Sequence, residues 1–242
     1  MLSAARKNQL LELMQCLNIK LTDEIILDEA LTHPSYNFES NREDAPDYER
    51  LEFLGDSVLR LAVSNYLFDK YKNYPEGKLT KIRSYLVSDE FLFKIALKLQ
   101  IKKYLNLGIH EEKNGGREKE SILACSMEAI LGAIFKNCGF NYVQEFIYKI
   151  YNDMSINFEE ILSLYNSKEI LQQYTQGLGK DLPVYRVIEE KGLEHNKIYV
   201  VNVSYRGEEL GVGTARTKKE AEKNAALNAV KRLNLISGEE NE

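Results

Sequence analysis

The sequence has few cysteines, few histidines, no excess of positive charge and no internal repeat or low-complexity segment. Its three cysteines, Cys16, Cys125 and Cys138, are far apart and form no C-x-x-C pair. This argues against a disulfide framework and a structural zinc site and agrees with a reducing, cytoplasmic setting. His33, His110 and His195 fall in expected loops or turns, and no nucleophile–base constellation is visible. No continuous apolar run reads as long enough to cross a membrane. The opening stretch MLSAARKNQLLELMQCL carries a Glu inside its apolar periodicity, as an amphipathic helix does and a signal peptide does not.

What is present is enough for a real core. A chain of 242 residues with 44% apolar and 10% aromatic side chains fits one or two folded domains. The net charge of -5 argues at first against a nucleic-acid partner, but net charge is a sum and a binding face is local. Resolved along the chain, about 12 Lys and Arg face about 9 Asp and Glu between Lys168 and Leu235, and the acid is concentrated in the first two thirds.

The patterning divides at the same place. Helical periodicity runs near residues 5–17, 23–32, 48–71, 77–101, 118–136 and 140–163. A short linker is expected at 163–168. A helix containing LQQYTQ follows, then the β-rich runs VYRVIEE, KIYVVNVSYRG and ELGVGTAR, then the helix KKEAEKNAALNAVKRL. The expected architecture is an all-α domain over 1–165, an α+β domain of α-β-β-β-α order over 168–235, and an acidic tail at 236–242.

In DYERLEFLGDSVLRLAVSNYLF, the acids Glu49, Glu52 and Asp56 are spaced three and then four apart. On a helix they fall within about 60° of arc over a rise of about 10 Å. Leu51, Leu54, Val58 and Ala62 mark the buried face, so the acids border packed structure, where like charges repel and burial adds cost. A divalent cation is one compensator, since carboxylate oxygens suit Mg²⁺ and Mn²⁺; a surface stripe paired with Arg50, Arg60 or a lysine of another helix is the other. Gly55, costly in a helix interior, points to close approach of another backbone or a ligand.

ERLEFLGDSVL at 49–59 resembles the signature of the ribonuclease III family. ALTHPSY at 30–36, PEGKLTKIRSYLVS at 75–88 and GGREKESILACSMEAILGAIF at 115–135 support the likeness in the family's order. The last third resembles the double-stranded-RNA-binding domain of bacterial members. The resemblance implies hydrolysis of double-stranded RNA with bound Mg²⁺, or Mn²⁺, to 5′-phosphate and 3′-hydroxyl ends, in RNA processing such as ribosomal RNA maturation. Such chemistry requires no protein nucleophile. It implies Glu52, Asp56 and Glu128 as catalytic metal carboxylates, Glu49 and Glu76 as bordering acids, and a homodimer in which Phe53 inserts into the partner. Gln172, Gln176, His195, Lys218, Lys219 and Lys223 are the implied RNA contacts, reading 2′-hydroxyls and phosphates rather than bases. One position departs from the pattern: Cys125 stands where the family has an Asp. Cys is a soft ligand poorly matched to Mg²⁺. The alternatives are therefore an enzyme with weakened or altered metal binding, or an RNA-binding protein of the same fold without cleavage.

Overall fold

The computed structural model describes residues 2–41, 44–192 and 197–235. The chain forms two compact units, Met1–Ile156 and Asn157–Glu242. The first is helical: α1 (Ala4–Leu17), α2 (Glu24–Ala30), α3 (Pro34–Glu39), α4 (Glu49–Lys70), α5 (Glu76–Leu86), α6 (Asp89–Lys98), α7 (Ile109–Lys113), α8 (Glu120–Cys138) and α9 (Phe140–Asp153). The second runs α10 (Phe158–Leu178), β1 (Val184–Lys191), β2 (Ile198–Tyr205), β3 (Glu208–Ala215) and α11 (Lys218–Arg232). This is the expected fold class, a helical domain followed by an α-β-β-β-α domain.

Helix α8 is the centre of the first unit. Ile122, Leu123, Met127, Ile130, Leu131 and Ile134 are all buried, and α4, α6 and α9 pack around it. By length and composition α8 would pass as a membrane span, which corrects the expectation that no such run exists. With 67% of that apolar window buried, its hydropathy is that of a core helix. The α4–α8 crossing is tight: a Cβ on Gly55 would lie 1.8 Å from the Glu128 carbonyl oxygen, and one on Gly132 would lie 2.2 Å from that of Leu51.

Two periodic runs prove to be broken. The run at 77–101 splits into α5 and α6 because the Ser88 side chain accepts from the Phe91 N–H and restarts the helix. The run at 140–163 breaks beside Ser155, whose φ is +48°. The expected linker at 163–168 is helical instead and belongs to α10, so the second unit begins before the anticipated boundary. His110 lies in α7 rather than a loop. His195 and the acidic tail at 236–242 lie outside the described residues.

In the second unit the sheet order is β1-β2-β3, antiparallel, with Val187 opposite Val201 and Val203 opposite Gly211. Val201, Val203 and Tyr205 alternate onto the face covered by Ala221, Ala225, Ala226, Ala229 and Val230 of α11, with Leu171 of α10 closing the core. The small residues of α11 let the helix lie close on the sheet, leaving its opposite, polar face to solvent.

Candidate active site

The α4–α8 contact through Gly55 sets Glu128 of α8 beside Glu52 and Asp56 of α4. Glu128 is 9% exposed and makes no hydrogen bond among the described residues. Burial, then the charges of Asp56, Glu52 and Asp89, push its carboxyl up to about 8, while Arg60 acts in the opposite direction. Glu52 is also raised, mainly by burial, with Glu49, Asp89 and Asp56 adding to the effect and a hydrogen bond with Cys125 opposing it. The Cys125 thiol is pushed up to about 12 by burial, the hydrogen bond with Glu52, and the charges of Glu52, Glu128 and Asp89. It is therefore a protonated donor at neutral pH, not a thiolate.

The structure brings Glu52, Asp56, Cys125 and Glu128 together, with Glu49 close enough to raise Glu52. Glu76, at the first position of α5, accepts from Thr80 Oγ1 at 2.7 Å. Asp56 is engaged by Arg60, and Glu52 by Cys125. As these side chains stand, no group of three or more His, Cys, Asp or Glu among the described residues is placed to hold a metal ion. The donors nevertheless suit a hard divalent cation in kind. They are carboxylate oxygens, and burial, with the repulsion of Asp56, Glu52 and Asp89 added to it, raises Glu128 to about 8.

Asp89 escaped the sequence reading. LVSDE gives the ordinary signal of a capped helix start, and only the packing of α6 on α8 brings its charge to Glu52, Cys125 and Glu128. Phe53 is 79% exposed, and Leu61 (57%) and Phe68 (71%) share its side of α4. Beside Phe53 a groove is lined by Ile26, Leu51, Leu54 and Lys136.

In the second unit Gln172 and Gln176 lie one turn apart on the exposed side of α10. Lys218 and Lys219 open α11, whose N-terminus is capped by Thr217 accepting from the Glu220 N–H at 3.2 Å. Lys218 Nζ lies 3.4 Å from Glu190 and 5.2 Å from the Tyr199 ring centroid. Lys223 sits 4.3 Å from the Tyr165 ring centroid, and burial holds its ammonium below the usual lysine range. The acids interspersed among these lysines are occupied: Glu220 in the cap, Glu222 with Lys168.

Comparison with known proteins agrees with this geometry. Residues 23–154 match the family described as Ribonuclease-III-like, and residues 167–233 match the double-stranded RNA binding motif. The Ribonuclease 3 of Oceanobacillus iheyensis is 42% identical over 218 residues, covering 90% of this chain and 95% of that protein. That of Natranaerobius thermophilus is 39% identical over 225 residues, 93% and 96% of the two chains. A solved ribonuclease III nuclease domain from Campylobacter jejuni, described for structural flexibility in a region involved in dimer formation, is 39% identical. It covers 59% of this chain and 95% of that one with a TM-score of 0.55. A helical nuclease domain followed by a duplex-RNA-binding fold defines an endoribonuclease of the two-domain type. The chain belongs to the ribonuclease III family.

Proposed function

We propose that this protein hydrolyses phosphodiester bonds in double-stranded RNA with a divalent cation, Mg²⁺ or in its place Mn²⁺. In this reading Glu52, Asp56 and Glu128 hold the cation and the products carry 5′-phosphate and 3′-hydroxyl ends. The observation that carries the reading is Glu128: a buried carboxyl without a hydrogen bond, facing other carboxylates and pushed up to about 8, marks a site that gains from a cation. When bound, the cation supplies Lewis acidity and charge neutralisation at the scissile phosphate. The chain's own part is to hold acids on two helices locked by the Gly55–Glu128 contact. Arg60 is available to the phosphate once it releases Asp56, and Cys125 keeps Glu52 oriented through its thiol. Gln172 and Gln176 can donate to and accept from 2′-hydroxyls while Lys218, Lys219 and Lys223 meet phosphates, so the duplex is read by shape.

The same reading makes the protein a homodimer, supported by the exposed Phe53, Leu61 and Phe68 along α4. It places the protein in the cytoplasm, where the free thiols Cys16, Cys125 and Cys138 stay reduced, acting in RNA processing such as ribosomal RNA maturation. Incubation with long double-stranded RNA in Mg²⁺ and in Mn²⁺, with both product ends mapped, tests the chemistry. Cutting that Glu128→Gln lowers at least a hundredfold supports it. A second reading, duplex-RNA binding without cleavage, is favoured by the uncharged Cys125 and the Arg60-engaged Asp56. It stands if RNA stays intact in both metals and Cys125→Asp restores cutting.

A further inference from the structure

Within the second unit one face of the sheet is left uncovered. Helix α11 closes the inner face tightly: a Cβ on Gly211 would lie 2.7 Å from the Ala225 carbonyl oxygen, and one on Gly213 would lie 2.1 Å from the Ala225 backbone nitrogen. The proposed RNA contacts on α10 and α11 belong to that helical side. Side chains alternate along a strand, so the outward positions of an antiparallel sheet with one solvated face are expected to be polar. Here Val184 is 46% and Ile188 57% exposed, Val200 and Val212 are half-buried, and Leu182, 53% exposed, extends the apolar strip beyond β1. Strand propensity explains β-branched residues at such positions, but not Leu182, which precedes the strand, nor the placing of the charges among them. A groove of about 680 Å³ runs along this face, from Leu182 and Val184 to Ser204 and Glu209.

Arg186 is exposed at the middle of that groove and makes no hydrogen bond or ion pair among the described residues. The acids beside it are engaged, Asp181 with Arg206 at 2.8 Å and Glu209 with the Asn202 amide. Cross-strand pairing puts Val184, Ser204 and Glu209 in one row and Arg186, Asn202 and Val212 in the next. The corners of this patch are therefore two valines on one diagonal and two opposite charges on the other, about 10 Å apart across the strands and about 7 Å along them. A second copy laid face to face about a twofold axis along the valine diagonal sets each valine against its own counterpart. Each Arg186 then comes over the Glu209 of the other copy, with strands crossing near a right angle, as in orthogonal sheet packing. We propose that this outer sheet face is a self-association surface whose occupant is the same face of a second copy, registered by two reciprocal Arg186–Glu209 pairs beside apolar contacts. Three strands of eight residues offer a face of about 14 by 27 Å, roughly half the area that each partner buries in a stable complex. The contact is therefore weak. It forms at high protein concentration, or between copies side by side on one RNA duplex, where their effective concentration is high. It is separate from the exposed apolar side of α4, and it depends neither on a cation nor on cleavage.

The test is sedimentation velocity of the full chain in EDTA and low salt, without RNA, from about 1 to about 200 µM, a range that brackets weak association. The unaltered chain is expected to gain mass with concentration, approaching twice the mass of its dilute species. Arg186→Glu alone and Glu209→Arg alone put like charges into both pairs and are expected to weaken this step at least about tenfold. Mixing the two variants in equal amounts, or combining both changes in one chain, restores opposite charges and is expected to recover the affinity to within about threefold, which misfolded chains could not do. A mass independent of concentration in the unaltered chain would overturn the proposal. So would association that both single variants leave intact, because contact through α4 is indifferent to these charges, and so would a loss that neither mixing nor the combined changes recover. A fall in duplex-RNA affinity for Arg186→Glu as large as that for Lys218→Ala with Lys219→Ala would make the face an RNA contact and overturn it as well. None of these outcomes bears on the metal reading of the first unit.

Discussion

Arg60 Nε donates to both carboxylate oxygens of Asp56, at 2.8 and 2.9 Å, one turn apart on the exposed side of α4. The guanidinium thus lies where it competes with any cation that Asp56 would bind. As an exposed pair it adds at most about 1 kcal/mol to stability. Arg60→Gln is therefore expected to leave the melting temperature within a few degrees and to tighten Mn²⁺ binding several-fold in calorimetry. Unchanged affinity would remove Asp56 from the cation-holding set.

The crossing of α4 and α8 sets a second expectation. A Cβ on Gly55 would stand 1.8 Å from a backbone oxygen, which no rotamer change can relieve, so Gly55→Ala must push the two helices apart. Overpacking of this kind costs about 1–3 kcal/mol or more. Chemical denaturation should show a loss of at least about 2 kcal/mol, with Mn²⁺ affinity falling as Glu128 moves away from Glu52 and Asp56. Wild-type stability in Gly55→Ala would mean the crossing is looser than the geometry states.

How far all this was legible follows from where each residue's partners lie. The α4 stripe Glu49, Glu52, Asp56 is local, three- and four-residue spacing on one helix, so the sequence displays it; Gly55 likewise announced a close neighbour. Which backbone it met, that of Glu128, is a tertiary fact that neither the helix pattern nor the family resemblance stated. Asp89 was hidden because periodicity runs unbroken across Val87 and Ser88, and a cap within an amphipathic run does not disturb the apolar spacing that defines it. The short linker expected at 163–168 is instead continuous with α10, whose Leu171 is buried against the sheet. Hydropathy alone could not tell α8 from a membrane span, because a helix enclosed by α4, α6 and α9 needs the same apolar surface.

For the RNA-binding unit, the exposed ammonium groups at the start of α11 predict a uniform electrostatic effect. Lys218→Ala with Lys219→Ala should weaken binding to every duplex sequence alike. The slope of log affinity against log salt should fall by about 1 for each phosphate that is no longer neutralised. Among the described residues Lys218 meets Glu190 at 3.4 Å and the Tyr199 ring, and its own side chain is exposed, so its removal should leave the fold intact. Filter binding across several salt concentrations measures both quantities; weakening confined to particular sequences would contradict recognition by shape.

The raised carboxyl of Glu128 has a consequence in the absence of RNA and metal. Its ordinary value is 4.5 and its folded value about 8, so between those limits the folded chain holds a proton that the unfolded chain has released. Stability therefore falls as pH rises through this window and levels above it, the opposite of a salt-bridged carboxylate. Glu52, raised in the same direction, adds to the slope, while the Cys125 thiol, pushed up to about 12, enters only at higher pH and leaves measurements between pH 5 and about 8.5 undisturbed. Melting temperatures in EDTA should decline across that range for the unaltered chain. Glu128→Gln, which keeps the shape and carries no charge, should melt near the unaltered chain at pH 5 and above it at pH 8. Mn²⁺ binds the ionised carboxylates and competes with the proton, so its stabilising effect on the unaltered chain should grow with pH and be smallest in Glu128→Gln. Parallel pH profiles for the two proteins would mean that Glu128 is ionised at neutral pH without any cation, and the case for a cation-seeking site would lose its main support.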